Sequence, residues 1–125
     1  EFSYQFLKRA SKGFAYGPIV ASGRNANILH YGDNNQPCQN GDLLLLDVGA
    51  EYGNYNADMT RCIPVNGKFS ARQRQVYDAV LRIMREASSL LRPGITLLDY
   101  EKKVGKMMER ELIGLGLLKA EEVAA

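Results

Sequence analysis

Two strand-like runs, each interrupted by an aspartate, are joined by Gly53-Asn54, a dipeptide suited to a two-residue hairpin loop. Before the loop stands Leu43-Leu44-Leu45-Leu46-Asp47-Val48-Gly49, and after it Tyr55-Asn56-Ala57-Asp58-Met59-Thr60. With Tyr52 facing Tyr55, the ladder sets Gly49 opposite Asp58, Val48 opposite Met59 and Asp47 opposite Thr60. Both aspartates then share one face as diagonal neighbours, about 7–8 Å apart at the backbone and closer at the carboxylates. A slip of one residue would send them to opposite faces. Asp is depleted from strands and costly to bury unpartnered, so a pair of them calls for a compensating cation, and a divalent metal is the natural one. Taken singly, an aspartate at a strand end is more often a turn or cap residue. It is the pair, with this turn between, that points to a metal.

Other side chains near this hairpin divide by strand alternation. Thr60, two residues beyond Asp58, falls on the same face and is placed to hydrogen-bond a ligating carboxylate. Arg61 points the other way, toward an ion pair in the scaffold. Tyr52 and Tyr55 pack across the hairpin. His30 is the only histidine of the chain and ends the stretch Ile28-Leu29-His30-Tyr31. A lone His more often hydrogen-bonds locally, but on a stretch neighbouring the aspartates it is also a candidate to donate to a metal-bound substrate.

The rest of the chain reads as alternating turns and regular elements. The opening residues, Glu1 to Ala10, read as the tail of an amphipathic helix, and a short strand is expected at Ile19-Val20-Ala21-Ser22. A polar turn follows at residues 23–27, and the stretch from Gly32 to Gly41 is a loop rich in Asn, Asp, Gln and Pro. After Asn66-Gly67, Ser70 with Gln73 forms a capping box for a helix whose Val76, Tyr77, Val80, Leu81, Met84, Ala87 and Leu91 make a core-facing stripe. Arg92-Pro93-Gly94 stops it. Thr96 with Asp99 caps a second helix, apolar along Tyr100, Val104, Met107, Met108, Leu112 and Leu115, which Gly114 and Gly116 end.

With 125 residues, 46% of them hydrophobic and a formal net charge of +2, the chain is one globular domain or a piece of one. The charge is too small and scattered to hold nucleic acid or an anionic membrane. Cys38 and Cys62 lack metal-binding spacing and read as reduced thiols of a cytoplasmic protein, with a single disulfide between them as the alternative. No leader and no apolar run of about 20 residues is seen, so neither secretion nor membrane spanning is expected. The chain opens without an initiating Met and closes on Glu121-Glu122-Val123-Ala124-Ala125 without a stop signal, as a segment of a longer protein would.

Asp47-Val48-Gly49-Ala50-Glu51-Tyr52, Ala57-Asp58-Met59-Thr60-Arg61 and Pro64-Val65-Asn66-Gly67-Lys68-Phe69 together resemble the catalytic domain of aminopeptidase P and prolidase, the Xaa-Pro branch of the pita-bread metallopeptidases. Ile28 to Tyr31, the helix from Gln73 to Leu91 and Arg92-Pro93-Gly94 extend the likeness from about Ala15 to Lys119. Methionine aminopeptidase shares the aspartate spacing but lacks the Asn-Gly-Lys-Phe stretch. The resemblance implies an α+β fold, with a curved, mainly antiparallel sheet carrying helices on its outer face. Residues 1–125 would be the N-terminal half of the catalytic domain, with the N-terminal domain and the C-terminal half outside this chain.

The same resemblance implies a site for two divalent ions, manganese being the expected metal, in which Asp47 binds one ion, Asp58 bridges both and His30 sits beside the substrate. The substrate implied is a peptide with proline at its second position, cut before the proline. Prolidase, acting on Xaa-Pro dipeptides, and a non-enzymatic peptide-binding module are the alternatives. The remaining ligands of the family, one His and two Glu, fall outside these residues, so the chain by itself is expected to be inactive. Apolar surface left uncovered would be met by the missing halves or by a second copy in a homo-oligomer.

Overall fold

Residues 1–123 are described in the computed structural model, and they fall into two compact units that meet at Lys68 and Phe69. The first holds α1 (Phe2–Lys8), β1 (Gly13–Phe14), β2 (Ile19–Ser22), a 3₁₀ turn at Gly23–Asn27, β3 (Leu43–Val48), β4 (Ala50–Tyr52), β5 (Tyr55–Asn56) and β6 (Met59–Pro64). The second holds α2 (Ala71–Leu90), α3 (Leu97–Gly114) and α4 (Ala120–Val123).

The hairpin closes as its sequence requires. Gly53 and Asn54 have φ of 58° and 66°, the left-handed pair that defines a type I′ turn and matches the twist of the strands it joins. Glu51 braces the turn, its Oε1 accepting from the Asn54 N–H at 2.6 Å. From there the ladder runs back in the expected register: Tyr52 faces Tyr55, Glu51 faces Asn56, Val48 faces Met59 and Asp47 faces Thr60. The exposed tyrosine rings make no ring contact with each other.

All strand pairings are antiparallel, in two three-stranded sheets ordered β1-β4-β5 and β2-β3-β6. These are the two ends of one ribbon, since the strands are interrupted at a common level, at residues 15–18, at Gly49 and at residues 57–58. Asp47 is therefore within β3, whereas Asp58, expected inside a strand, lies in the gap between β5 and β6. The cause is close backbone contact at buried Gly49, where an added Cβ would stand 1.7 Å from the Ala57 carbonyl oxygen. Opposite that point the first strand is overlong. Phe14 faces Ala50 and Ile19 faces Asp47, so the four residues 15–18 span only Val48 and Gly49. A surplus of this kind is a bulge, which bends a strand and redirects its side chains.

Between β2 and β3 the chain is pinned by side chains. Ile28 to Tyr31 forms a turn rather than a strand end, with His30 at a φ of 56°. Tyr31 is 7% exposed, its Oη accepting from Asn25 Nδ2 at 3.2 Å and donating to Asn35 Oδ1 at 3.4 Å. Asn34 lies alongside the outer edge of β2: its Oδ1 accepts from the Val20 N–H at 2.7 Å and its Nδ2 donates to the Pro18 carbonyl at 2.8 Å. Cys38 and Cys62 are free thiols.

In the second unit the capping box is complete, with the Gln73 N–H donating to Ser70 Oγ at 3.2 Å and the Ser70 N–H to Gln73 Oε1 at 2.8 Å. Replacing Ser70 by Ala is expected to cost about 1 kcal/mol, seen as a melting midpoint about 4 °C lower; an unchanged midpoint would mean the cap contributes nothing. Thr96 caps α3 by accepting from the Asp99 N–H at 3.1 Å. Arg72 bonds the Leu115 carbonyl, Arg82 pairs with Glu111 and Arg110 with Glu86, an order of contacts that makes α2 and α3 antiparallel. The hydrogen bond from Arg82, with help from Arg110, holds the Glu111 carboxyl below its usual range. The covered strip of α2 is displaced from the expected stripe and includes Ala79, which the stripe left out. Ala79 and Ala87 are buried with Met107 of α3, while Val80, Met84 and Leu91, expected to face the core, are exposed.

Candidate metal centre

The bulge aims Tyr16 at the hairpin. Its Oη lies 2.5 Å from Asp47 Oδ1 and 3.1 Å from Asp58 Oδ1, so the two carboxylates converge on one hydroxyl even though one comes from a strand and the other from a gap. A phenol carries one proton. Three oxygens thus share it, and the shorter contact marks Asp47 as the acceptor. Desolvation, reinforced by the hydrogen bonds to Asp47 and then Asp58, pushes the Tyr16 hydroxyl well above its ordinary pKa, so it stays protonated and acts as a donor.

No Lys or Arg forms an ion pair with either aspartate among the described residues. A proton-poor cluster of oxygens with no protein cation suits a hard divalent ion. The donor chemistry fits; the number of donors falls short, since no group of three or more His, Cys, Asp or Glu gathers anywhere among the described residues. Asp47 and Asp58 can therefore supply part of a metal shell but not all of it.

His30 shares their cavity. A cleft of about 460 Å³ is lined by Tyr16, His30, Tyr31, Asn34, Asp47 and Asp58, among others. The imidazole makes no hydrogen bond or ion pair among the described residues and is exposed, so its nitrogens are open to a bound molecule. Thr60 borders a second cavity of about 270 Å³ that also touches His30 and Asp47. Its hydroxyl does not bond either carboxylate; the hydroxyl that does belongs to Tyr16. Arg61 finds no ion pair among the described residues either, and its Nη1 donates to the Thr60 carbonyl at 2.8 Å. Tyr16 is thus the contributor that sequence reasoning missed. The one signal was Gly17-Pro18, which breaks the run between two short strands without saying where the preceding ring points.

The pattern of metallopeptidase family M24 matches residues 1–123. The chain is 40% identical over 121 residues to the Xaa-Pro aminopeptidase of Escherichia coli, covering 97% of this chain and 27% of that protein. It is 39% identical over 119 residues to Xaa-Pro aminopeptidase 3 of Homo sapiens, covering 95% and 24%. Among solved structures, aminopeptidase PepP of Pseudomonas aeruginosa superposes with a TM-score of 0.88 at 40% identity, over 94% of this chain and 26% of that one. Aminopeptidase P of Escherichia coli with the inhibitor Pro-Leu gives a TM-score of 0.88 at 41% identity, over 94% and 27%. The chain spans about a quarter of the length of these relatives.

Proposed function

Because the chain belongs to metallopeptidase family M24, we propose that it is the part of an Xaa-Pro aminopeptidase that contributes Asp47 and Asp58 as metal ligands and His30 as a substrate-facing group. The observation that carries this reading is the convergence of both carboxylates on one hydroxyl, in a cavity that His30 also lines. It is supported by the names of the relatives, Xaa-Pro aminopeptidases in both a bacterium and a mammal.

In this reading two divalent ions, manganese by preference, supply a polarised carbonyl and water activated at neutral pH. Asp47, held by Tyr16, offers its second oxygen as a fixed ligand. Asp58 sits in the strand gap and lines the cleft, with Oδ1 3.1 Å from the Tyr16 hydroxyl, a looser hold that suits a ligand shared by two ions. His30, without a hydrogen-bond partner among the described residues, donates a hydrogen bond to the peptide, whose second residue is proline. Thr60 borders the neighbouring cavity and is assigned contact with the water or peptide there rather than with a carboxylate. The free thiols accord with a cytoplasmic location.

The protein carrying this chain is expected to release the N-terminal residue from an Xaa-Pro-Xaa tripeptide in the presence of Mn²⁺. Cleavage confined to Xaa-Pro dipeptides would assign it to prolidase instead, and manganese-loaded protein inert on both would remove the peptidase reading. The 125-residue chain on its own is expected to show no cleavage, because two carboxylates leave most of the coordination positions of two ions unfilled. Turnover by the purified chain would contradict that.

A further inference from the structure

Beyond the ligands themselves, the geometry points to Tyr16 as the positioning residue of the centre: it locks Asp47 in place and leaves Asp58 free to adapt. The contacts are unequal, 2.5 Å to Asp47 Oδ1 against 3.1 Å to Asp58 Oδ1. With a single proton to give, the hydroxyl commits to the nearer oxygen and fixes that carboxylate's rotation. No other hydrogen-bond donor reaches either carboxylate among the described residues, so nothing else performs this task.

The ring itself is held from behind. Tyr16 stands on the bulge whose far end is Pro18, and Asn34 grips that end at the Pro18 carbonyl and the Val20 N–H. A residue on a free bulge would swing; one tethered two positions away, before a proline of fixed φ, does not. The order of support is then Asn34, the bulge, Tyr16 and Asp47, each holding the next. An orienting hydrogen bond of this kind is worth about 10- to 100-fold in metal affinity.

This inference rests on the reading of Asp47 and Asp58 as metal ligands, so the test includes a ligand variant. In the protein carrying the chain, Mn²⁺ binding is titrated by the electron paramagnetic resonance signal of the free ion, for the wild type, Tyr16→Phe and Asp58→Asn, with the melting midpoint of each metal-free form as a check on folding. Tyr16→Phe keeps the ring and loses only the hydroxyl. It is expected to bind Mn²⁺ about 10- to 100-fold more weakly at an unchanged midpoint, and to recover most of its kcat when the ion is raised to saturation. If Tyr16→Phe binds as tightly as wild type while Asp58→Asn does not, Tyr16 is not a positioning residue and the metal reading stands. If Asp58→Asn also binds as wild type, the metal reading falls and takes this one with it. A tenfold or larger loss in an Asn34→Ala variant, folded by the same check, would support the order of support above; no loss there would confine the effect to Tyr16 itself.

Discussion

Gly49→Ala is expected to unfold the first unit or to force its hairpin apart. The added methyl would sit 1.7 Å from the Ala57 carbonyl oxygen, 2.7 Å from the Ala57 carbonyl carbon and 2.9 Å from Tyr16 Cε1. Two of these are backbone atoms, which cannot turn aside as a side chain can. Overpacking a well-filled site costs about 1–3 kcal/mol, and a collision with backbone belongs at or beyond the upper end. The position is not left-handed, so the penalty is one of space alone. Relief would require the strands to separate at the level where Asp47, Asp58 and Tyr16 meet, and a variant that did fold would carry a displaced site. Chemical denaturation is the measurement: a loss of about 3 kcal/mol or more is expected, and a loss below 1 kcal/mol would show that the ribbon opens there easily.

Asp58→Asn is expected to remove activity while leaving the metal-free fold intact or firmer. In the proposed centre Asp58 would be a ligand shared by two ions, and an amide offers neither the charge nor the second anionic oxygen. A fall in kcat/KM of at least about 1,000-fold, on the order of 4 kcal/mol in the barrier, is expected for the protein carrying this chain. The metal-free protein should respond in the opposite sense. Two carboxylates around one hydroxyl repel when no cation lies between them, so neutralising one relieves the native state. A midpoint that is equal or higher without metal, combined with lost activity, separates a functional carboxylate from a structural one. A variant that kept its activity would show that Asp58 does not serve the reaction, and one that lost its fold would make Asp58 a structural residue.

Much of this arrangement was legible because short-range chemistry fixes it. The Gly53-Asn54 loop sets the register of the paired strands, so Asp47 opposite Thr60 followed from a dipeptide, while Asp58 falls in the gap of the ladder and meets Asp47 at the Tyr16 hydroxyl. Ser70 with Gln73 and Thr96 with Asp99 likewise act on their immediate neighbours, and both long helices begin directly after those caps, while α2 ends at Leu90, just before Arg92-Pro93-Gly94.

What escaped the sequence depends on partners distant in the chain. Alternation assumes one residue opposite one, and at residues 15–18 the strand has four opposite two, so Tyr16 could not be assigned a face. Asp58 was expected inside a strand because nothing local announces how closely Gly49 meets Ala57. His30 has a left-handed backbone that a residue with a Cβ adopts reluctantly, and the anchors that flank it, Tyr31 and Asn34, act through Asn25, Asn35 and β2. On α2 the covered face is turned from the expected stripe: Ala79, which the stripe left out, is the most buried residue of the helix, while Val80, Met84 and Leu91 stand exposed, because the neighbour rather than the period decides which apolar side is covered.

The amide of Asn34 has a second effect, at the edge of the sheet. β2 borders its sheet, and an unguarded border offers a row of N–H and C=O groups on which a foreign strand can dock. One side chain satisfies a donor and an acceptor of that row, in the manner of a neighbouring strand only one residue long. The chain thereby closes its own border against intermolecular pairing beside the cleft that Asn34 lines together with His30, Asp47 and Asp58.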